Sequence, residues 1–304
     1  MNDKECRNEK IICIVLLFCF SITLSACGNE GATEFKDFDS TLNDVKSKEN
    51  ELKKVIDDIH LKRLDDLSKT DMTDKNKKEF NELQNKVNSK LVPKLDNYEA
   101  AAKKLPTDSE ETKELKSTYL KSVKDKKAAI NDLKNFIDLC NQAVKANEDI
   151  LDYTKLFEKN RSQVEAHMQK ASDAGSTTDV NNFKHKLEQN NKDLRNTAEK
   201  EADSTNTTKV KQSIETQIMP LIDKQIKDLN KTAITNNYVN DARKNAIEMY
   251  YSLQNYYETR KETIDISERL DKINAKDLPK KGEDLEKFDA DFDKEYNNVK
   301  EDFN

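Results

Sequence analysis

The sequence predicts an all-α protein of elongated antiparallel helical bundles with coiled-coil-like packing, and three observations carry that prediction. Glycine and proline occur four times each in 304 residues, and Gly175 is the only glycine between residues 32 and 281. Parallel α/β folds need glycine at turns and phosphate loops, so they are excluded. Charged residues make up 37% of the chain, enough for disorder to compete. Apolar residues nonetheless recur at alternating steps of three and four, the helical period, which decides for about six long helices.

The first segment is different. Ile11 to Leu24 is a mostly apolar run broken by Ser21 and Thr23. A bilayer-spanning helix needs roughly twenty apolar residues, so this run has the length of a secretory leader instead. Leu24-Ser25-Ala26-Cys27 follows, with small residues before a cut between Ala26 and Cys27. This resembles the bacterial lipoprotein signal. That resemblance implies a leader over 1–26, a diacylglyceryl group on the Cys27 sulfur and a lipidated tether over 27–34. A thiol suits the junction because sulfur is the nucleophile that takes up lipid. Two acyl chains, at about 0.8 kcal/mol per buried methylene, then hold a soluble body on a membrane. Extended, Gly28–Thr33 spans at most roughly 20 Å. Cys6, Cys13 and Cys19 leave with the leader and Cys140 stays alone. Lying on an apolar seam, Cys140 is expected to behave as a small hydrophobe.

Helical seams then run in order along the chain. Phe35, Phe38, Leu42, Val45, Leu52, Ile56 and Ile59 form the first, interrupted by Glu49. Phe80, Leu83, Val87, Leu91, Leu95 and Tyr98 form the second. Val123, Ile130, Ile137, Val144 and Leu151 form the third at strict sevenfold spacing. Val180, Phe183, Leu187 and Leu194 mark the fourth, and Val210, Ile214, Ile218, Leu221, Gln225 and Leu229 the fifth. The sixth runs from Val239 to Leu270 through Ala242, Ala246, Met249, Leu253, Tyr256 and Ile264. Breaks fall at Pro106, where Thr107-x-x-Glu110 has the form of a capping box, at Gly175, and at the polar run Ser204–Thr208. An unbroken helix from Ser109 to Asp173 would be roughly 100 Å long, so a bend or break is expected, with the segment joining two bundles. The expected regions are 35–173, 174–274 and an acidic tail over 275–304. Leu91-Val92-Pro93 and Ile218-Met219-Pro220 lie 127 residues apart. They mark either an internal duplication or the false repeat that periodic sequences generate.

Residues 283–304 hold nine acids against three lysines, which accounts for the whole net charge of −6. The remaining body is balanced and offers no basic excess to nucleic acid. Phe288, Phe292, Tyr296, Val299 and Phe303 make the tail an amphipathic helix that docks on the bundle or on a partner. Asp289-x-Asp291-x-Asp293 begins like a calcium loop, but Lys294 and Lys300 stand where its glycine and closing glutamate belong. His60, His167 and His185 lie on separate helices, and no metal, phosphate-loop or nucleophile motif is present. No catalytic residue, metal or cofactor is expected beyond the diacylglycerol on Cys27.

The remaining outlier is Ala246–Tyr257, which holds four of the nine tyrosines. Its Glu248-Met249-Tyr250-Tyr251, with the lipoprotein junction and a charged helical body, resembles the EMYY-motif lipoproteins of Gram-positive bacteria. A looser similarity is to helical cell-wall-binding lipoproteins. The resemblance implies a membrane-anchored envelope protein and supplies no catalytic residue. At about 100° per residue, Met249, Leu253, Tyr256 and Tyr257 share a face with Tyr250 at its edge, so the Tyr250 ring should pack between helices. Glu248 and Tyr251 point away and are the candidate partner-binding residues. Tyr251 lies with Ile247 and Glu258, where it covers a second helix or faces a partner. Arg260, inside the apolar stripe, snorkels or pairs with an acid.

The expected function is a non-catalytic binding or scaffolding module held in the lipid bilayer on the outer face of the cytoplasmic membrane. Its expected partners are the cell wall or an envelope protein. A surface adhesin, or an accessory subunit acting through the tail, are the alternatives.

Overall fold

The computed structural model describes residues 27–59, 74–202, 206–273, 278 and 284–303, and the regular structure among them is helical throughout. The leader with Ala26, and His60, lie outside the described residues. The helices are α1 (Cys27–Ile59), α2 (Asp74–Lys86), α3 (Val92–Ala102), α4 (Glu110–Asp173), α5 (Thr177–Ala202), α6 (Thr207–Ser213), α7 (Met219–Asn230), α8 (Asn237–Leu270) and α9 (Ala290–Asp302). One π-helical turn, Val87–Leu91, joins α2 to α3, and another, Ile214–Ile218, joins α6 to α7.

The backbone divides into two units, residues up to Ile137 with Asn274–Asn304, and Asp138–Ile273. The division falls inside α4, where a boundary at Gly175 was expected. α4 is not broken there: it runs uninterrupted over 64 residues. Its side chains serve two cores. Leu115, Tyr119, Val123, Ile130 and Ile137 are buried within the first unit, while Leu139 and Ala146 cluster with Ile266 in the second. The heptad also runs out. Val144 is buried but Leu151 is 60% exposed. A straight helix drifts about 20° per heptad from a strict sevenfold stripe, so four heptads after Val123 the stripe has turned well away from the core.

In the first unit, the predicted seams of α1 and of the segment α2–π–α3 are buried as expected. No extended tether follows Cys27, which is the first residue of α1. Helix is favoured there because the tail packs beside it. The Phe35 and Phe303 rings stack at 5.5 Å, and a Cβ on Gly31 would stand 3.1 Å from the Phe303 ring. Glycine permits that approach. The tail thus docks on its own unit, with Phe292 fully buried and its ring 4.7 Å from Tyr119.

Glu49, the interruption in the first seam, is explained by Lys126. The Lys126 ammonium is wholly buried and donates to Glu49 Oε1 at 2.6 Å, to both Asp289 oxygens at 2.6 Å and to Tyr98 Oη at 3.3 Å. Tyr98 in turn donates to Tyr119 Oη at 3.1 Å, and Ser122 Oγ donates to Asp289. Burial drives both phenols well above their ordinary range, so they stay protonated as neutral donors. One cation therefore ties α1, α3, α4 and the 3₁₀ turn Leu285–Asp289 before α9 into one polar centre.

The two units contain the same helical hairpin. Pro93 and Pro220 each sit in the first turn of the helix after a π turn, 127 residues apart. At that same offset the Val92 amide bonds Val87 O and the Met219 amide bonds Ile214 O. The carbonyls donated to by Ser89 and Thr216, those of Asn85 and Gln212, also correspond. After the link, Ser109 caps α4 by accepting from the Thr112 amide, and Asn236 caps α8 by accepting from the Val239 amide. Lys116 donates to Leu105 O at 2.7 Å and Arg243 to Thr232 O at 3.0 Å, again in register. Periodicity alone reproduces apolar positions; it does not reproduce caps, prolines and a link-spanning cation. The repeat is a structural duplication. The cap itself is Ser109, where Thr107 was expected. Thr112 Oγ1 accepts from the Ser109 amide at 3.0 Å, so threonine fills the role that glutamate plays in a capping box.

Two measurements test this packing. Lys126→Met takes the buried cation from both carboxylates, leaving Glu49 only Lys53 at 3.6 Å and Asp289 only the Ser122 hydroxyl. It should lower stability by about 3–5 kcal/mol in urea titration, whereas adding Glu49→Leu and Asp289→Leu should restore most of it. Glu51 accepts from Lys48 at 2.8 Å and Lys94 at 2.5 Å, and those bonds hold its carboxyl down from 4.5 to about 2. A depressed folded-state value contributes stability above pH 4.5 that is lost as pH falls toward 2. Glu51→Gln should flatten the melting-temperature profile in that window and leave its slope above pH 5 unchanged.

Candidate functional site

The site expected from sequence lies on α8, in the second unit. Asp179, in the first turn of α5, accepts from the Thr235 amide and hydroxyl and the Asn236 amide at 2.8–2.9 Å. Those bonds, led by the Asn236 amide, hold its carboxyl below the usual range and fix where α8 begins. From there Val239, Ala242, Ala246 and Met249 turn inward at helical spacing.

Tyr250 is fully buried and donates to Asn191 Oδ1 at 3.0 Å, joining α8 to α5, and burial pushes its phenol upward. Its neighbour Tyr251, about 100° further round, is 45% exposed. Glu248 is exposed as well, and Ile247 packs against the same core as Met249. Of the two positions open to Tyr251, the structure gives the solvent-facing one. The motif divides by geometry: Met249 and Tyr250 point in, Glu248 and Tyr251 point out. Leu151, Leu156 and Tyr238 are the other large apolar side chains that the described residues expose, and all belong to this unit.

Cys140 is buried and unpaired, and burial pushes its thiol to about 12, so it is a protonated hydrophobe at neutral pH. No group of three metal-ligating side chains, around His167, His185 or elsewhere, occurs among the described residues. No helix among them is long and apolar enough to cross a membrane. Arg260 is exposed and forms no ion pair among the described residues, although pairing with an acid was one expectation for it. Sequence reasoning missed the Lys126 centre; its signal was Glu49 on an apolar seam.

The family pattern of the EMYY-motif containing lipoproteins matches residues 8–300, nearly the whole chain. The chain belongs to that family. No curated protein and no solved structure is significantly similar to it. In this EMYY-motif lipoprotein, then, the residues that give the family its name form half of a core contact and half of a surface.

That division is measurable. Tyr250→Ala should cost about 3–5 kcal/mol, as truncation of a buried aromatic does. Tyr251→Ala should change stability by less than about 0.5 kcal/mol, as exposed substitutions do. Urea titration of both variants checks the pair.

Proposed function

We propose that this lipoprotein is a non-catalytic binding or scaffolding module, anchored through diacylglyceryl-Cys27 on the outer face of the cytoplasmic membrane. Its docking unit is residues 138–273, and the partner is an envelope protein or the cell wall. The observation that carries this is Tyr251: a tyrosine with a half-exposed ring, rigidly placed by a fully buried neighbour on the same helix. Tyrosine supplies large contact area at low entropic cost, which is why it recurs at binding hot spots. Leu151 and Leu156 add exposed apolar surface to the same unit. An accessory role for the acidic tail has less support, because the apolar face of α9 is spent on Phe35 and Tyr119 in its own unit.

Membrane fractionation tests the anchor. Cys27→Ala should shift the protein to an unprocessed or mislocalised form, and normal cleavage with normal retention would refute lipidation at that residue. For docking, a photo-crosslinking residue at position 248, which faces solvent, should capture an envelope component in cells. Tyr251→Ala should reduce that capture several-fold without changing the melting temperature, and undiminished capture would move the docking surface elsewhere.

A further inference from the structure

A second feature of the same unit is independent of Tyr251. The end of α5, the segment α6–π and α8 enclose a cleft of about 250 Å³ with a floor of Val210, Ile214 and Ile218 and a wall of Tyr256 and Tyr257. The two rings meet edge to face at 5.2 Å. Two polar groups on its lining stand out, a buried hydroxyl without a hydrogen-bond partner and a guanidinium outside the local ion pairs. Ser213 is 2% exposed and its Oγ has no partner. A helical serine ordinarily returns its hydroxyl to the carbonyl four residues back, as Thr216 does with Gln212 O at 2.8 Å. Arg260 is the second. Neighbouring cations are satisfied, Lys261 by Glu215 at 2.9 Å and Lys211 by Asp265 and Glu268 at 2.7 and 2.8 Å, whereas Arg260, an exposed side chain, makes no ion pair among the described residues.

The duplication supplies an internal control. One repeat length earlier, the positions of Tyr256, Tyr257 and Arg260 are Ala129, Ile130 and Leu133, all buried. Ser213 corresponds to Lys86, which points to solvent. The first unit closes this corner with hydrocarbon. The second keeps it open beside a π turn, a distortion frequent at functional sites, and furnishes it with a guanidinium and an unpaired hydroxyl.

We propose that this cleft binds a single-chain lipid carboxylate, a fatty acid. The chain lies on Val210, Ile214 and Ile218 beneath the tyrosine rings, and the head group takes Arg260 and Ser213. A guanidinium fork matches a carboxylate in bidentate fashion, and the hydroxyl donates to the same group. The lining favours a chain over a peptide, since its floor is aliphatic with no row of polar partners for repeating amides. Glu199 on the same lining disfavours a second negative charge, which selects a carboxylate over a phosphate dianion.

The test uses the full chain in phosphatidylcholine nanodiscs with a diazirine-bearing palmitate, adducts being mapped by mass spectrometry. Labelling should concentrate on residues 210–218 and 256–260. Excess decanoate should suppress it, decyl phosphate less, and decanol least. Arg260→Gln should lower cleft labelling about 10-fold, as loss of a charge-assisted pair does. Ala198→Leu, which fills the cleft from its α5 wall, should do the same, with circular dichroism melting confirming that both variants fold. Tyr251→Ala should leave labelling intact, so this proposal and the docking surface fail separately. Labelling spread evenly along the chain, or unchanged in both cleft variants, overturns the site. Equal competition by decanol overturns the head-group assignment, and stronger competition by decyl phosphate overturns the choice of carboxylate.

Discussion

A proline inside a helix removes one backbone donor and drives its ring toward the carbonyl four residues back, and both units of this protein are organised around how that clash is relieved. In each, the turn before the proline widens to π spacing, with the backbone bond reaching five residues back from Val92 and from Met219. A serine or threonine hydroxyl bonds the carbonyl a turn earlier. The widened turn resets the register of the helix beyond it. Leu95 and Tyr98 in one unit, and Ile222 and Gln225 in the other, therefore face the core along with residues that precede the proline. The link, the capped helix start and the cation holding the link carbonyl all come at fixed distance after it.

On that shared frame the units diverge through the polar residues set into their seams. Tyr98 and Gln225 occupy equivalent positions and both are buried. In the first unit the phenol joins Lys126, Glu49 and Asp289, a centre that needs the acidic tail to supply its second carboxylate. In the second, Gln225 Nε2 donates to Asn190 O at 2.8 Å, and none of the described residues of that unit is a buried charge. The interior of that unit is closed by Tyr250. Low dielectric makes an unpaired ion costly, so a unit holding a buried lysine must keep its tail docked. The second unit has no such obligation, and while Tyr250 and Gln225 are buried, Tyr251 and Tyr238 are exposed. That difference places scaffold chemistry in the first unit and candidate recognition chemistry in the second.

Much of this was legible in the chain. Scarce glycine, the three-four spacing of apolar residues and the Leu-Ser-Ala-Cys junction determine an all-α lipoprotein, because helix period and leader chemistry are local properties that a short window displays. That Tyr250 and Tyr251 lie on different sides of their helix comes from 100° per residue; that the side holding Tyr251 faces solvent and not a second helix was decided by the tertiary structure. A short window cannot display which distant residue meets which. Glu49 reads as a flaw in a seam until Lys126 and Asp289 arrive from 77 residues after it and from the far end of the chain. Likewise Leu151 reads as core by heptad and lies in solvent, since the drift of a straight helix against its partners decides the point at which a stripe leaves the interior. The seven-residue spacing of α4 concealed that one helix serves two cores, and Arg260 and Ser213 acquire meaning only where three helices leave a gap beside them. Sequence alone determined the helices and their faces; tertiary structure decided which faces meet, because burial and charge pairing are properties of the assembled core rather than of any one helix.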